Sequence, residues 1–167
     1  SQGKVELPGI GTVSGMQKTD DGKLRFEYTS YNFPNATMEL DPAKSKPEVK
    51  SQNEVPFNFE DYEVKQEFFR SVDGEKVPMF IVHKKGLEPD GNTPTLLYGY
   101  GGFDVSLTPG FSKSTAHWLE QGGIYAVATL RGGGEYGAEW HEAGMLEKKQ
   151  NVFDDFISAG QHLVTAG

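Results

Sequence analysis

Cysteine is absent from the 167 residues. That excludes a disulfide framework, a thiolate zinc site and a cysteine nucleophile. It fits a reducing compartment, which is cytoplasmic, with the periplasm as the alternative. Basic residues are in deficit, with 16 Lys and Arg against 24 Asp and Glu and a formal net charge of -8. A phosphate-backbone binder needs clustered Lys and Arg, so the balance argues against nucleic acid and against an anionic membrane surface. No apolar run approaches the ~20 residues of a membrane-spanning helix. Ser1-Gln2-Gly3-Lys4 is not followed by the apolar stretch of a secretory leader. Both ends are abrupt, as expected of a piece taken from a longer chain, and the length suits one domain or parts of two.

What is present falls into two textures. Up to about residue 54 the chain is polar with short β-like runs. Leu24-Arg25-Phe26-Glu27-Tyr28-Thr29 alternates with period two, as a half-buried strand does. Asp20-Asp21-Gly22-Lys23 before it is a hairpin-type turn, and Met38-Glu39-Leu40 is a second short run ended by Asp41-Pro42. These predict consecutive antiparallel strands. Residues 42–54 read as a linker.

Beyond about residue 60 the order reads strand, strand, strand, helix, strand, helix. Tyr62 to Arg70 and Val77 to His83 flank the turn Asp73-Gly74, with Val77, Met79 and Ile81 on one face. Thr95 to Tyr100 and Ile124 to Leu130 are continuous apolar runs, which suit parallel strands buried on both faces. Ser112 to Gln121 between them reads as a helix capped by Ser112 and stopped at Gly122. Asn151 to Ala166 predicts the strongest helix. Val152, Phe153, Phe156, Ile157, Leu163 and Val164 form its apolar face. Asn151 serves as cap, Asp154 and Asp155 complement the dipole in the first turn, and Gly167 is the stop. The expected fold class is α/β, the opening of an unfinished sheet.

Several motifs fail on context. Gly132-Gly133-Gly134-Glu135-Tyr136-Gly137 matches the dinucleotide fingerprint and follows a strand. However, Glu135 would sit beside the pyrophosphate, and no acid-ended strand follows about 20 residues on. A glycine-rich loop at a strand end is the better reading. His141-Glu142 lacks the second histidine of a zinc peptidase, because Met145 occupies that place. No metal and no cofactor is expected. His83, His117 and His162 read as structural or surface residues. No serine stands in the G-x-S-x-G frame of a hydrolase nucleophile.

Tyr98-Gly99-Tyr100-Gly101-Gly102-Phe103 is the informative stretch. It lies at the carboxyl end of a predicted strand, where open α/β sheets place their sites. A tyrosine there can donate a hydrogen bond into a cleft, and Phe103 can line an apolar pocket beside it. On the residues alone, aromatic packing around a glycine turn is the competing reading.

Leu97 to Phe103, Ala128 to Gly137, Trp140-His141 and Lys149 to Phe156 resemble prolyl oligopeptidases in order and spacing, and Pro78 to Gly86 resembles the strand that opens their hydrolase half. The resemblance implies a fold of two parts. Residues 1–54 would end a β-propeller domain, and residues 55–167 would form the N-terminal half of an α/β-hydrolase catalytic domain. It implies a serine endopeptidase acting on short proline-containing peptides. Tyr100 would contribute to the oxyanion hole and Phe103 to the proline pocket. The nucleophile, acid and histidine of the triad would lie outside this chain, and its partners would be the remaining segments of the same protein. Two other functions stay open. One is a non-catalytic fragment or complementation module. The other is a related α/β-hydrolase, either a basic-specific oligopeptidase or an esterase.

Overall fold

The computed structural model describes residues 4–88 and 90–166. Two compact units divide the chain. The first takes the residues up to Tyr62 together with Thr108–Ala116. The second takes Glu63–Leu107 and the residues from His117 onward. The expectations placed on Ser1-Gln2-Gly3 and on Gly167 as helix stop fall outside the described residues.

The first unit is built on an antiparallel sheet of β1 (Thr12–Lys18), β2 (Leu24–Thr29), β3 (Ala36–Leu40) and β4 (Glu48–Gln52), in that spatial order. The alternation read in β2 sets its register. Leu24, Phe26 and Tyr28 face Leu40, Met38 and Ala36 across the ladder, and these residues with Phe33 form the core of the unit. The turn before β2 is present, with Gly22 at φ 83°. Two strands had no apolar signature. β1 is exposed along most of its length and carries a bulge. β4 lies inside the stretch expected to be a linker, so that assignment is corrected. Glu48–Gln52 is held by its ladder to β3, not by burial, and backbone pairing of a polar edge strand leaves no period in the sequence. A 3-10 turn, Phe59–Asp61, follows.

The second unit carries a mixed sheet of β5 (Tyr62–Arg70), β6 (Lys76–Lys84), β7 (Thr95–Gly99) and β8 (Ile124–Ala128), in the order β5-β6-β8-β7. β6 runs antiparallel to β8, and β7 runs parallel to β8. Between β7 and β8 lies α1 (Lys113–Glu120), where the chain passes from one unit to the other. The Ser112 carbonyl accepts the Ala116 N–H at 2.9 Å, as a cap residue's does, and Gly122 at φ 86° ends the helix. After β8 come the short helix α2 (Ala138–Glu142), a 3-10 turn (Leu146–Lys148) and α3 (Gln150–Ala166). The core joins Phe69, Val77, Met79, Ala126, Ala128 and Leu130 of the sheet region to Trp140, Val152 and Ala159 of the helices.

Three expectations are corrected here. β8 is buried, but β7 is not: Leu96 and Tyr98 are close to half exposed. β7 is the edge strand, paired only with β8, so its apolar run is not enclosed on both faces. Second, α3 begins one residue earlier than its expected cap. Asn151 lies within the helix and donates its side-chain amide to the Ala143 carbonyl at 2.9 Å. Third, α3 buries a narrower stripe than predicted. Val152, Asp155, Ser158 and Ala159 are buried, while Phe153, Phe156, Ile157 and Val164 are exposed by a third or more. Among the described residues, no helix is long and apolar enough to cross a membrane.

Candidate functional site

At the carboxyl end of β7 the chain turns sharply, and glycines make the turn sterically possible. Gly101 has φ 60°, and a Cβ there would come within 2.5 Å of Val152 Cγ1 and 2.8 Å of Leu130 Cβ. Gly102 begins a turn closed by the Val105 N–H donating to the Gly102 carbonyl at 3.0 Å. Its two central residues, Phe103 and Asp104, have φ 53° and 57°. Positive φ at both central positions is the mark of a type I′ turn, which Gly, Asn and Asp tolerate and a bulky aromatic does not. A residue held in that region costs on the order of 1–3 kcal/mol, and such strain clusters at working sites.

The glycine-rich segment after β8 packs against this turn. The Asp104 N–H donates to the Gly132 carbonyl at 3.2 Å, and the Gly134 N–H donates to the Val105 carbonyl at 3.3 Å. Gly132 itself has φ 93°, and a Cβ on it would meet the Gly101 carbonyl oxygen at 2.7 Å. The apparent nucleotide fingerprint therefore serves close approach of two backbones. The Glu135 carboxylate accepts the Leu107 N–H at 2.9 Å, which fixes the far end of the same loop.

Tyr100 lies two residues before this turn, and Phe103 is the first of its central residues. Tyr100 is 46% exposed and its hydroxyl has no hydrogen-bond partner among the described residues. Phe103 is 86% exposed and borders a cavity of about 490 Å³. That volume is in the range of small-molecule pockets. Asp104, His141, Met145, Leu146 and Lys149 line it as well, but Tyr100 does not. The phenol is thus half exposed and is not part of the lining of that cavity. Leu146, which also lines the cavity, is a second bulky residue with positive φ, at 50°, and is 81% exposed.

Behind the turn is a buried ion pair that sequence reasoning missed. Asp155 is fully buried and receives the Arg131 guanidinium in a two-pronged contact, with Nη2 to Oδ1 at 2.6 Å and Nε to Oδ2 at 3.0 Å. It also accepts the Arg131 backbone N–H at 3.1 Å. The third guanidinium nitrogen, Nη1, reaches Asp73 of the β5–β6 turn at 2.6 Å. Asp155, followed by Asp73, pushes the Arg131 guanidinium's pKa further above its ordinary value, against the effect of burial. The Arg131 guanidinium in turn holds the Asp73 carboxyl below the usual carboxylate range. The first-turn dipole role expected for Asp155 is corrected accordingly: it sits in the second turn and is an internal counter-ion. The available signal was its place at the middle of the 152, 155, 159 stripe, where a carboxylate needs a buried partner.

The histidines are dispersed. His83 contacts Lys65 and the Lys84 carbonyl, and His162 lies beside Phe69. His141, set aside with the failed zinc motif, is in the site. Its Nδ1 donates to the Gly132 carbonyl at 2.7 Å. Lys149 was also missed as an individual contributor; its Nζ donates to the Gly101 carbonyl at 2.8 Å. An isolated lysine carries no sequence signal for such a contact.

Comparison with known proteins bears on this arrangement. A model of the prolyl oligopeptidase family matches residues 109–167. The chain is 48% identical to the prolyl endopeptidase of Elizabethkingia miricola over 98% of its own length and 23% of that protein's. It resembles a solved prolyl endopeptidase structure with TM-score 0.84 and 50% identity, covering 97% of this chain and 24% of that one. It also resembles prolyl oligopeptidase B from Galerina marginata bound to a 25mer macrocyclization substrate, with TM-score 0.81 and 37% identity over 95% and 22% of the two chains. This chain therefore spans about a quarter of the length of the relatives it matches.

Proposed function

The chain belongs to the prolyl oligopeptidase family, and from that premise we propose that it is part of a serine endopeptidase that hydrolyses short peptides on the carboxyl side of proline. In this reading residues 1–54 end a β-propeller and residues 55–167 open an α/β-hydrolase domain. The antiparallel sheet of the first unit and the mixed sheet with helices of the second support that division. The observation that carries the functional reading is the turn after β7. There a half-exposed, unpartnered phenol and an aromatic ring on a strained backbone stand three residues apart, the ring lining a largely apolar cavity.

The chemistry assigns each a role. A serine Oγ attacks the scissile carbonyl, the π electron pair moves to oxygen, and an oxyanion develops. Tyr100 donates its O–H to that oxygen, together with a backbone N–H from elsewhere in the protein. Phe103 offers an apolar wall that packs against a proline ring without needing charge. No serine of these 167 residues stands in a nucleophile frame, so the nucleophile is supplied from outside them, and in this reading the acid and histidine of the triad are as well.

Asp104 lines the same cavity and favours a second reading, cleavage after basic residues. The full-length protein carrying this segment decides between them. A chromogenic peptide with proline at the cleaved position is expected to be turned over with higher kcat/KM than its arginine counterpart. Tyr100→Phe is expected to lower the prolyl rate about a hundredfold. Unchanged turnover in Tyr100→Phe overturns the role of the phenol, and preference for the arginyl peptide overturns the proline specificity.

A further inference from the structure

The turn that bears Tyr100 and Phe103 is strained, so something must hold it. Gly101, Phe103 and Asp104 all have positive φ, and such a backbone persists only when its surroundings over-determine it. Part of the restraint is backbone contact with the Gly132 segment. One side chain reaches the turn directly. Lys149 Nζ lies 2.8 Å from the Gly101 carbonyl oxygen.

Resting on the peptidase reading above, we propose that Lys149 is a positioning residue for the oxyanion tyrosine: its ammonium group grips the Gly101 carbonyl and thereby fixes the direction in which the Tyr100 hydroxyl points. Three observations support this. Gly101 directly follows Tyr100, so holding the Gly101–Gly102 peptide by its carbonyl fixes the backbone on the far side of the glycine from the tyrosine and removes the freedom of that glycine to shift beneath it. Second, the Tyr100 ring and Lys149 Nζ flank Gly102 together, at 4.0 Å and 3.6 Å from where a Cβ on that residue would stand. Third, the base of the lysine is itself anchored. Lys149 N–H donates to the Leu146 carbonyl, and the Lys149 carbonyl accepts the Val152 N–H as α3 begins, both at 3.1 Å. A donor rooted at a helix start and aimed at a strained turn is a rigid strut. A charge-assisted hydrogen bond of this kind is about twice as strong as a neutral one.

Lys149 lines the cavity beside Phe103, but the role proposed for it is on the turn and not on the substrate. Its effect passes through Tyr100, and that gives a readout which a general loss of stability would not reproduce. The experiment is a double-mutant cycle in the full-length protein, with kcat and KM measured on a prolyl chromogenic peptide and Tm recorded for each variant. Lys149→Met keeps the aliphatic stem and removes the donor. It is expected to lower kcat about tenfold or more, because small misplacement of an oriented group is costly, with KM within about twofold. In a Tyr100→Phe background the same change is expected to cost little, since the hydroxyl it orients is gone. Lys149→Gln, which keeps a polar head but is too short to reach the carbonyl, gives the same comparison should Lys149→Met fail to fold. An equal loss of kcat with and without the tyrosine hydroxyl overturns the proposal, as does an effect on KM alone. The roles of the lysine and of the phenol separate cleanly. If Tyr100→Phe costs rate and Lys149→Met does not, only the strut is wrong. If Tyr100→Phe itself costs nothing, the assignment of the phenol falls first.

Discussion

At Gly101 a Cβ would press on Val152, Leu130 and the Arg131 carbonyl oxygen, the nearest at 2.5 Å, and the backbone there has φ 60°. Both effects oppose any side chain. Gly101→Ala is expected to destabilise the fold by about 2–4 kcal/mol, from the left-handed backbone and from overpacking together. Urea unfolding of the full-length protein checks it, and a shift within experimental scatter would mean that the turn relaxes easily. At this scale the residue types were readable but their contacts were not. Tyr100 and Phe103 stand out in the sequence because an aromatic pair around two glycines is an unusual string. His141 and Lys149 do not, because a histidine or lysine aimed at a carbonyl looks the same in sequence as one in solvent. The cavity they border forms only when the chain returns through residues 132 and 144–149.

α3 illustrates the element scale. Its helical period was legible, yet the face it buries turns out to centre on Asp155 and not on the phenylalanines. The reason is the Arg131–Asp155 pair, which draws that edge of the helix onto the end of β8. Asp155→Ala leaves a buried guanidinium with one remaining carboxylate, half exposed at Asp73. A loss of about 3–5 kcal/mol is expected, since breaking a buried pair is far costlier than never having built it. Thermal unfolding tests this, and a change under ~1 kcal/mol would show that water reaches the arginine. The β5–β6 turn adds a pH dependence. Asp73 is held below its ordinary pKa by Arg131, so the stability it contributes is complete above about pH 4, its unfolded value. That stability is lost as pH falls through the lower folded value. Tm against pH is therefore expected to fall less steeply on the acid side for Asp73→Asn than for the parent. The difference is small because the carboxylate is half exposed. Equal slopes would remove Asp73 from the acid transition.

Over the whole molecule the two units have separate cores, one around Phe26, Tyr28 and Met38, the other around Val77, Met79 and Ala126. The second also leaves apolar side chains open. Leu96 and Tyr98 on β7 and Phe153, Ile157 and Val164 on α3 are each exposed by 45% or more. An edge strand and a helix face of that character favour association. The 167 residues produced alone are expected to release no product from a prolyl peptide and to bind an apolar dye or self-associate. Turnover by the isolated chain would overturn the view that the nucleophile comes from elsewhere. By itself the sequence determined the order of the main strands and helices, the alternating faces of β2 and the family. Periodicity and turn chemistry are local, and the family motifs are contiguous strings. Only the tertiary structure decided that β4 is a strand, that β7 is an edge, that Asp155 answers Arg131, and that Lys149 reaches Gly101. Each of those depends on backbone or charge brought together from distant parts of the chain, and a polar group's partner is set by where the chain folds back, not by its neighbours in sequence.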